Sequence, residues 1–199
     1  MTELTTGWEA DIPIADSLLR QFVHSCADRT AEMAVAVGGR GHHDADAAFA
    51  DLRSPFLFHN AVVLLRPPTR ESLPATVDSA LRFYPPHRAF VLLSVFPVPG
   101  AAFAERGLAL MGHPLLMVLP FNATRGPLPP GLVEVDWVAT APSARGHGYG
   151  TALTWAAMDA APGLPAVLIA SDDGRPVYDK MGFLRLMRLS MYVRAGGAR

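Results

Sequence analysis

Short apolar runs alternate with helix-patterned segments along most of this chain, and proline or glycine separates nearly every pair. That alternation constrains the fold more than any other feature, because strands joined through helices must lie at least partly parallel. The first helix runs from Ile14 to Val37, with Leu18, Leu19, Phe22, Val23 and Cys26 at three- and four-residue spacing and Asp16 placed to cap it. "GGRGHHDAD" (38–46) reads as a polar loop and "DADAAFADL" as a short helix. A strand in "FLFHNAVVLLRPP", a helix in "TRESLPATVDSALRFY", a buried strand in "AFVLLSVF", a helix in "GAAFAERGLAL" and a strand in "HPLLMVLPF" follow. After the linker-like "NATRGPLPPG" (122–131), the order repeats. "LVEVDWVAT" is a strand, "GYGTALTWAAMDAA" a helix, "AVLIAS" a strand, "DGRPVYDKMG" a short helix and "LRLMRLSMYVR" one final strand. "MGHPLLMVL" at Met111 is similar to "MGFLRLMRL" at Met181, 70 residues on, which reads as an internal βαβαβ pseudo-repeat. The expected fold is α/β, a mixed, partly parallel twisted sheet flanked by helices.

Composition narrows the classes. The 199 residues are 50% hydrophobic and 18% charged, enough for one domain with a substantial core. A net charge of -1 carries no basic excess, which argues against nucleic acid as a partner. The apolar runs are too short to span a membrane, and "MTELTTGWEADIP" has acids where a secretory signal needs a basic region. The lone Cys26 excludes an internal disulfide framework and fits a reducing cytoplasm. The expectation is a cytoplasmic protein, monomer or homodimer, that meets neither membrane nor nucleic acid.

The chemistry concentrates in "WVATAPSARGHGYGTAL" (137–153). Three glycines at alternate positions exceed what a tight turn requires. Without side chains the backbone approaches an anion closely, and the helix start aims its amides at it. A Walker loop would need Gly-Lys-Ser/Thr, and no lysine is present. A dinucleotide fingerprint counted from Gly146 and Gly148 meets Thr151 where the third glycine belongs, although Asp172 and Asp173 stand about where a ribose-binding acid would. Downstream, "SDDGRPVYDKMGF" (171–183) sets Tyr178 four residues before Gly182 and Phe183.

The two stretches together resemble the GNAT superfamily of acyl-CoA-dependent N-acetyltransferases. "APSARGHGYGTAL" is similar to its [Q/R]-x-x-G-x-G/A motif, filled by Arg145, Gly148 and Gly150. "SDDGRPVYDKMGF" is similar to N-x-x-A-x-x-x-Y-x-x-x-G-F, with Ser171 in place of asparagine and Gly174 in place of alanine. The specific resemblance covers about residues 132–194. It implies a single domain over 1–199, whose first 125 residues form the acceptor side, with Phe22 to Phe58 lining the pocket, and whose residues 126–199 bind acetyl-CoA. It implies that Arg145, Gly146, His147, Gly148, Tyr149, Gly150 and Thr151 wrap the pyrophosphate, that the backbone of Val138, Ala139 and Thr140 pairs with the pantetheine arm, and that Ser171 contacts the cofactor. Tyr178 matches the tyrosine many members use as general acid, and Glu134 stands about where several keep a glutamate base.

Amine acetylation poses problems these residues address. Protonating a thiolate from tyrosine is uphill by about 2 kcal/mol in water, from reference pKa values of about 10 and 8.5. Tyr178 is thus a donor whose acidity the site must tune. A lysine-like amine, pKa about 10.4, costs about 4.6 kcal/mol to deprotonate at pH 7. Strand alternation puts Glu134 and Asp136 on one face, opposite Val133, Val135 and Trp137, as a base or a cation-binding pair. No metal is expected. His42, His43, Asp44 and Asp46 read as a solvated loop, His59 and His113 have no visible partner, and Cys26 reads as packed. The expected reaction is direct transfer of an acetyl group from acetyl-CoA to a primary amine. The alternative is a non-catalytic CoA-binding sensor or interaction protein on the same scaffold.

Overall fold

The computed structural model of the chain describes residues 8–9, 12–120 and 131–196. Of the linker-like stretch only Gly131 is among them. The fold is mixed α/β, and its contacts gather into two compact units. One is built on Val23–His113 and the chain from Leu189, the other on Ile14–Phe22 and Pro114–Arg188.

The first helix, α1 (Leu18–Ala36), follows a single 3₁₀ turn at Ile14–Asp16. Ser17, rather than Asp16, caps it: its Oγ accepts the amide of Arg20 at 3.2 Å, the geometry of a side chain satisfying a first-turn donor. Cys26 is buried on this helix, as its apolar spacing requires.

The loop and helix expected over 38–52 are instead a β-hairpin. Strands β1 (Arg40–His43) and β2 (Ala47–Asp51) pair antiparallel. Asp44 makes the turn: its Oδ1 accepts the amides of Asp46 at 2.8 Å and Ala47 at 2.9 Å, an Asx-type closure that holds the chain against a helical course. All five residues of β2 are buried. Three of them are alanines, small enough to sit under neighbours on both faces, so the run shows no period of two. β3 (Asn60–Leu64) pairs with β2 antiparallel and with β4 (Phe90–Ser94) parallel, across α2 (Ser72–Phe83). Both strands are buried throughout, as continuous apolar runs predict for a covered parallel pair. The helix expected over 100–110 is short, α3 (Ala101–Ala104), and Gly107 at φ 75° turns the chain into strand β5 (Ala109–Gly112).

β6 (Leu115–Leu119) leads into the second unit, where β7 (Val133–Glu134), α4 (Tyr149–Met158), β8 (Ala166–Ala170), α5 (Arg175–Lys180) and β9 (Leu184–Arg188) follow. The single final strand expected over 184–194 is in fact two. Leu189, fully buried, separates β9 from β10 (Ser190–Arg194), and they belong to different sheets. A hydropathy pattern marks both halves as strand but carries no information about which neighbour each will pair with.

The two sheets have orders β1-β2-β3-β4-β10-β5 and β7-β8-β6-β9. The last four strands of the first match the second strand for strand. β3 and β4 are parallel, as are β7 and β8; β10 lies antiparallel between β4 and β5, as β6 does between β8 and β9. A register shift falls between Met191 and Tyr192 in β10 and between Leu116 and Met117 in β6, 75 residues apart. Gly107 (φ 75°) and Gly182 (φ 91°), also 75 apart, end α3 and α5 in the left-handed conformation. The amides of Leu108 and Phe183 then bond the carbonyls of Phe103 and Tyr178, both at 3.0 Å. From α3 and α5 onward the pseudo-repeat therefore runs at an offset of 75. The 70-residue match aligns β6 with β9, which are paired neighbours and not equivalents. Each copy also gives its sixth element to the other's sheet: β6 follows β5 but completes the second sheet, and β10 follows β9 but completes the first.

Candidate functional site

Every residue singled out from the sequence for cofactor or catalysis lies in the second unit. β7 is an edge strand, with β8 along one side. Val133 and Glu134 pair with Ala166 and Val167, and the amide of Val135 extends the ladder to the Val167 carbonyl at 2.9 Å. Val135 is buried in a core with Leu115, Met117, Leu168 and Phe183, against which Val133 and Val138 also pack. Glu134 is partly exposed and Asp136 exposed. Trp137 departs from the expected alternation: it is 47% exposed rather than packed beside Val135. Its φ of 59° ends the extended course, so the period of two stops at Asp136.

The chain then passes Ala139, exposed, and Thr140, partly exposed, to a 3₁₀ turn at Pro142–Ala144. Arg145 folds back, its Nε donating to the Thr140 carbonyl at 3.3 Å. The His147 ring is held by Nδ1, 2.9 Å from the Arg145 carbonyl, and stacks near Tyr149. Gly146 and Gly148 hold φ of 80° and 81°, a region that costs an L side chain. Gly150 is helical, and a Cβ on it would lie 3.7 Å from Thr140 Oγ1 and 3.9 Å from Val138 Cγ1. No side chain caps α4. Six successive amides, from Gly146 to Thr151, precede its first hydrogen bond, from Ala152 to the Gly148 carbonyl at 3.0 Å. Unsatisfied amides at the positive end of a helix dipole can receive an anionic group.

Tyr178 sits on α5, packed against the same core, with its ring edge-on to Phe183 at 5.7 Å. Burial raises its phenol above the ordinary value of about 10, and a hydrogen bond with Thr154 pulls it partly back. Thr154 was not visible from sequence as a site residue. It is fully buried on α4, and its hydroxyl donates to the Gly150 carbonyl at 2.8 Å. A lone threonine inside a helix gives no motif, and nothing in its spacing relates it to Tyr178. Ser171 Oγ accepts the amide of Gly174 at 3.0 Å. A Cβ on Gly174 would stand 3.2 Å from that oxygen and 3.6 Å from the Tyr178 ring. The serine and glycine departures from the motif therefore form one compact turn beside the tyrosine.

The remaining candidates are distributed elsewhere. Asp172 pairs with Arg188 at 3.2 Å and Arg175 at 3.8 Å. His59 Nδ1 lies 3.0 Å from Ser54 Oγ, and His113 Nδ1 lies 3.3 Å from both the Leu189 carbonyl and Ser190 Oγ, so both histidines have partners the sequence did not reveal. His42 and His43 stand on β1, and Asp44 and Asp46 in its turn. Among the described residues no cluster of His, Cys, Asp and Glu is placed to hold a metal ion, and no helix is long and apolar enough to cross a membrane.

An α/β unit with an edge strand, a glycine loop and an uncapped helix start presents backbone amides able to receive an anion. Comparison supplies the family. The model of the Acetyltransferase (GNAT) family matches residues 73–183, more than half of the sequence, and the chain belongs to that family. The match begins in α2, well ahead of the motifs. Two solved structures share the fold. A GCN5-related N-acetyltransferase from Kribbella flavida is 16% identical with a TM-score of 0.56, covering 86% of this chain and 96% of its own. A functionally unknown conserved protein from Staphylococcus epidermidis ATCC 12228 is 11% identical with a TM-score of 0.54, covering 81% and 96%. Curated proteins give no match.

Proposed function

We propose that the chain is an N-acetyltransferase that moves an acetyl group from acetyl-CoA to a primary amine by direct attack. The internal repeat carries the reading, because the first copy shows what this framework needs for folding alone. By strand bounds β4 corresponds to β8, so Ala61, opposite Val91, is the equivalent of Glu134, opposite Val167. Asp136 then corresponds to Val63. Tyr178 corresponds to Phe103, fully buried and without a hydroxyl. The turn into α2 has no glycine: Thr69 Oγ1 accepts the amides of Glu71 at 3.2 Å and Ser72 at 3.0 Å. Two carboxylates, a phenol and a free helix end thus distinguish the second copy, and none of them is required by the architecture.

Each addition has a place in the reaction. The amides from Gly146 to Thr151, with Arg145 and His147, receive the pyrophosphate, and Ser171 lies at the neighbouring turn. The backbone from Val138 through Ala139 to Thr140, beyond the end of the β7 ladder, pairs with the pantetheine arm and polarises the thioester carbonyl. Glu134 or Asp136 takes the amine proton. The neutral amine attacks the carbonyl carbon, the C–S bond breaks, Tyr178 gives its proton to the departing sulfur, and the second proton lost from the nitrogen passes through solvent to restore the phenol. Acetyl-CoA supplies the acyl group and no metal is used.

The experiment is a thermal shift with acetyl-CoA alongside thiol release over a panel of lysine-like amines and peptides with free N-termini. Binding at 100 times Kd adds about 2.7 kcal/mol of stability. Gly148→Glu, which sets a carboxylate at the anion site, is expected to abolish the shift. No shift at millimolar acetyl-CoA would sink the proposal. A shift without thiol release from any amine would favour a CoA-binding sensor, a reading for which the departures from the motif at Ser171 and Gly174 leave room.

A further inference from the structure

The chain leaves β7 through a residue whose backbone does not suit it. Val135 and Val138 pack on one core, the first buried and the second partly buried. In an extended strand two residues share a face only at even spacing, and these are three apart. The odd residue is absorbed at Trp137, whose φ of 59° lies in the left-handed region. Asp136 and Trp137 are both exposed between the two packed valines, next to the partly exposed Glu134. A bulky side chain is costly at that φ, and elsewhere the chain turns through such angles on glycine, as at Gly107, Gly146, Gly148 and Gly182. Among the described residues Arg53 is the one other side chain held there. The architecture does not ask for the kink: the equivalents in the first copy, Val63 and Leu64, continue β3 and are buried. A strained backbone at Trp137, with the indole left 47% exposed, therefore keeps a side chain that folding does not require.

We propose that Trp137 is a specificity-determining residue whose indole receives the apolar body of the acceptor, an amine joined through one or two carbons to a ring or a branched hydrocarbon. The proposal rests on the reading of Glu134 or Asp136 as base and of the backbone from Val138 to Thr140 as the part that aligns the thioester. Trp137 stands between the two in the chain, one residue after Asp136 and one before Val138. A nitrogen that reaches both carboxylate and thioester thus carries its substituent past the indole. An indole beside two carboxylates has two uses, and the chemistry separates them. Its π face against the reacting ammonium would hold the charged form and oppose the proton loss on which attack depends. Against the carbon skeleton it adds contact in both protonation states, and so raises affinity without opposing the reaction. A diamine with its second cation on the ring is the competing acceptor.

The test measures thiol release with 2-phenylethylamine, ethylamine and 1,4-diaminobutane on the unaltered chain and on Trp137→Gly, Trp137→Ala and Trp137→Phe. The unaltered chain is expected to prefer 2-phenylethylamine to ethylamine in kcat/KM. Trp137→Gly should lower that preference about tenfold and Trp137→Phe should keep most of it, and comparing ratios cancels the amines' own reactivity. Kd for acetyl-CoA, by calorimetry, stays within about threefold in every variant, unlike a lesion in the glycine loop. No preference in the unaltered chain, one unchanged in Trp137→Gly, or one lost equally in Trp137→Phe overturns the role of the ring. A preference for the diamine that Trp137→Gly removes overturns the apolar acceptor. Calorimetry of 2-phenylethylamine on the CoA-loaded chain, which has no acetyl group to transfer, separates this proposal from the reading beneath it. Binding about tenfold weaker in Trp137→Gly, with no thiol release from any amine, sinks the transferase reading and leaves the indole contact standing. Thiol release with an unchanged preference sinks the indole contact alone. The backbone has its own check, since Trp137→Gly and Trp137→Ala both lack the ring. Glycine accepts the left-handed angle and should melt roughly 2–8 °C above alanine. Equal melting, or alanine higher, overturns the premise that strain is held at Trp137.

Discussion

Three glycines at alternate positions look alike in the sequence, but replacing each by alanine is expected to act in opposite directions. At Gly148, φ is 81° and a Cβ would meet nothing within 4 Å, so the whole effect is backbone strain. Holding an alanine in the left-handed region costs about 1–2 kcal/mol. For a chain of this length each kcal/mol is worth roughly 2–4 °C, so Tm should fall by about 2–8 °C. Gly146 at φ 80° should behave the same way. Gly150 is helical, and its added methyl would make only ordinary contacts, 3.7 Å to Thr140 Oγ1 and 3.9 Å to Val138 Cγ1. There the alanine removes freedom from the unfolded chain and gains about 0.4–1 kcal/mol, or roughly 1–4 °C. Differential scanning fluorimetry without ligand, backed by urea unfolding, measures all three. Should Gly148→Ala and Gly150→Ala move Tm in the same direction by similar amounts, the division of the loop into two strained glycines and one helical glycine is wrong.

Asp51 is 2% exposed and lies 3.3 Å from Arg88 and 3.4 Å from Arg40, while its Oδ1 also accepts the Arg53 amide at 2.8 Å. Asp51→Asn keeps the amide contact but leaves Arg88, 16% exposed, without its counter-charge. A loss of about 3 kcal/mol is expected in urea unfolding, and less than about 1 kcal/mol would show that Arg88 finds water or another acceptor. Glu134→Gln should lower turnover at pH 7 with acetyl-CoA affinity preserved, and the deficit should shrink toward about pH 10 as the amine sheds its own proton. If Asp136→Asn shows that behaviour instead, the base is Asp136. A deficit independent of pH in both variants would mean the carboxylates bind the amine without taking its proton.

What the sequence disclosed depended on how local the cause was. β4 and β8 were legible because strands covered on both faces are uninterrupted apolar runs. The motifs were legible because the spacing of glycines in a loop, and of Tyr178 from Gly182 and Phe183, is itself a local geometric requirement. The β1–β2 hairpin was hidden because its determinant is a single aspartate, Asp44, closing a turn on two amides, while the alanines of β2 imitate a helix. Trp137 was expected on the packed face because alternation assumes an unbroken strand, and nothing in "VDWVA" announces a positive φ. The place of Ser190 beside His113 depends on a contact between segments distant in sequence. The repeat was visible in kind and wrong in register, because a short match of Met, Gly and Leu between β6 and β9 carries no information about which strands are equivalent and which are paired neighbours.

The exchange of β6 and β10 imposes an order of events on synthesis. β10 is an interior strand of the first sheet, hydrogen-bonded on one side to β4 and on the other to β5. As the chain emerges from a ribosome, residues 23–113 appear early, yet β4 and β5 have no shared partner until residues 190–194 arrive. The four-stranded sheet can close first, since β6 through β9 are contiguous in the chain. The copy translated first is thus the copy completed last, and through that interval the edges of β4 and β5 that will face β10 have no strand to pair with.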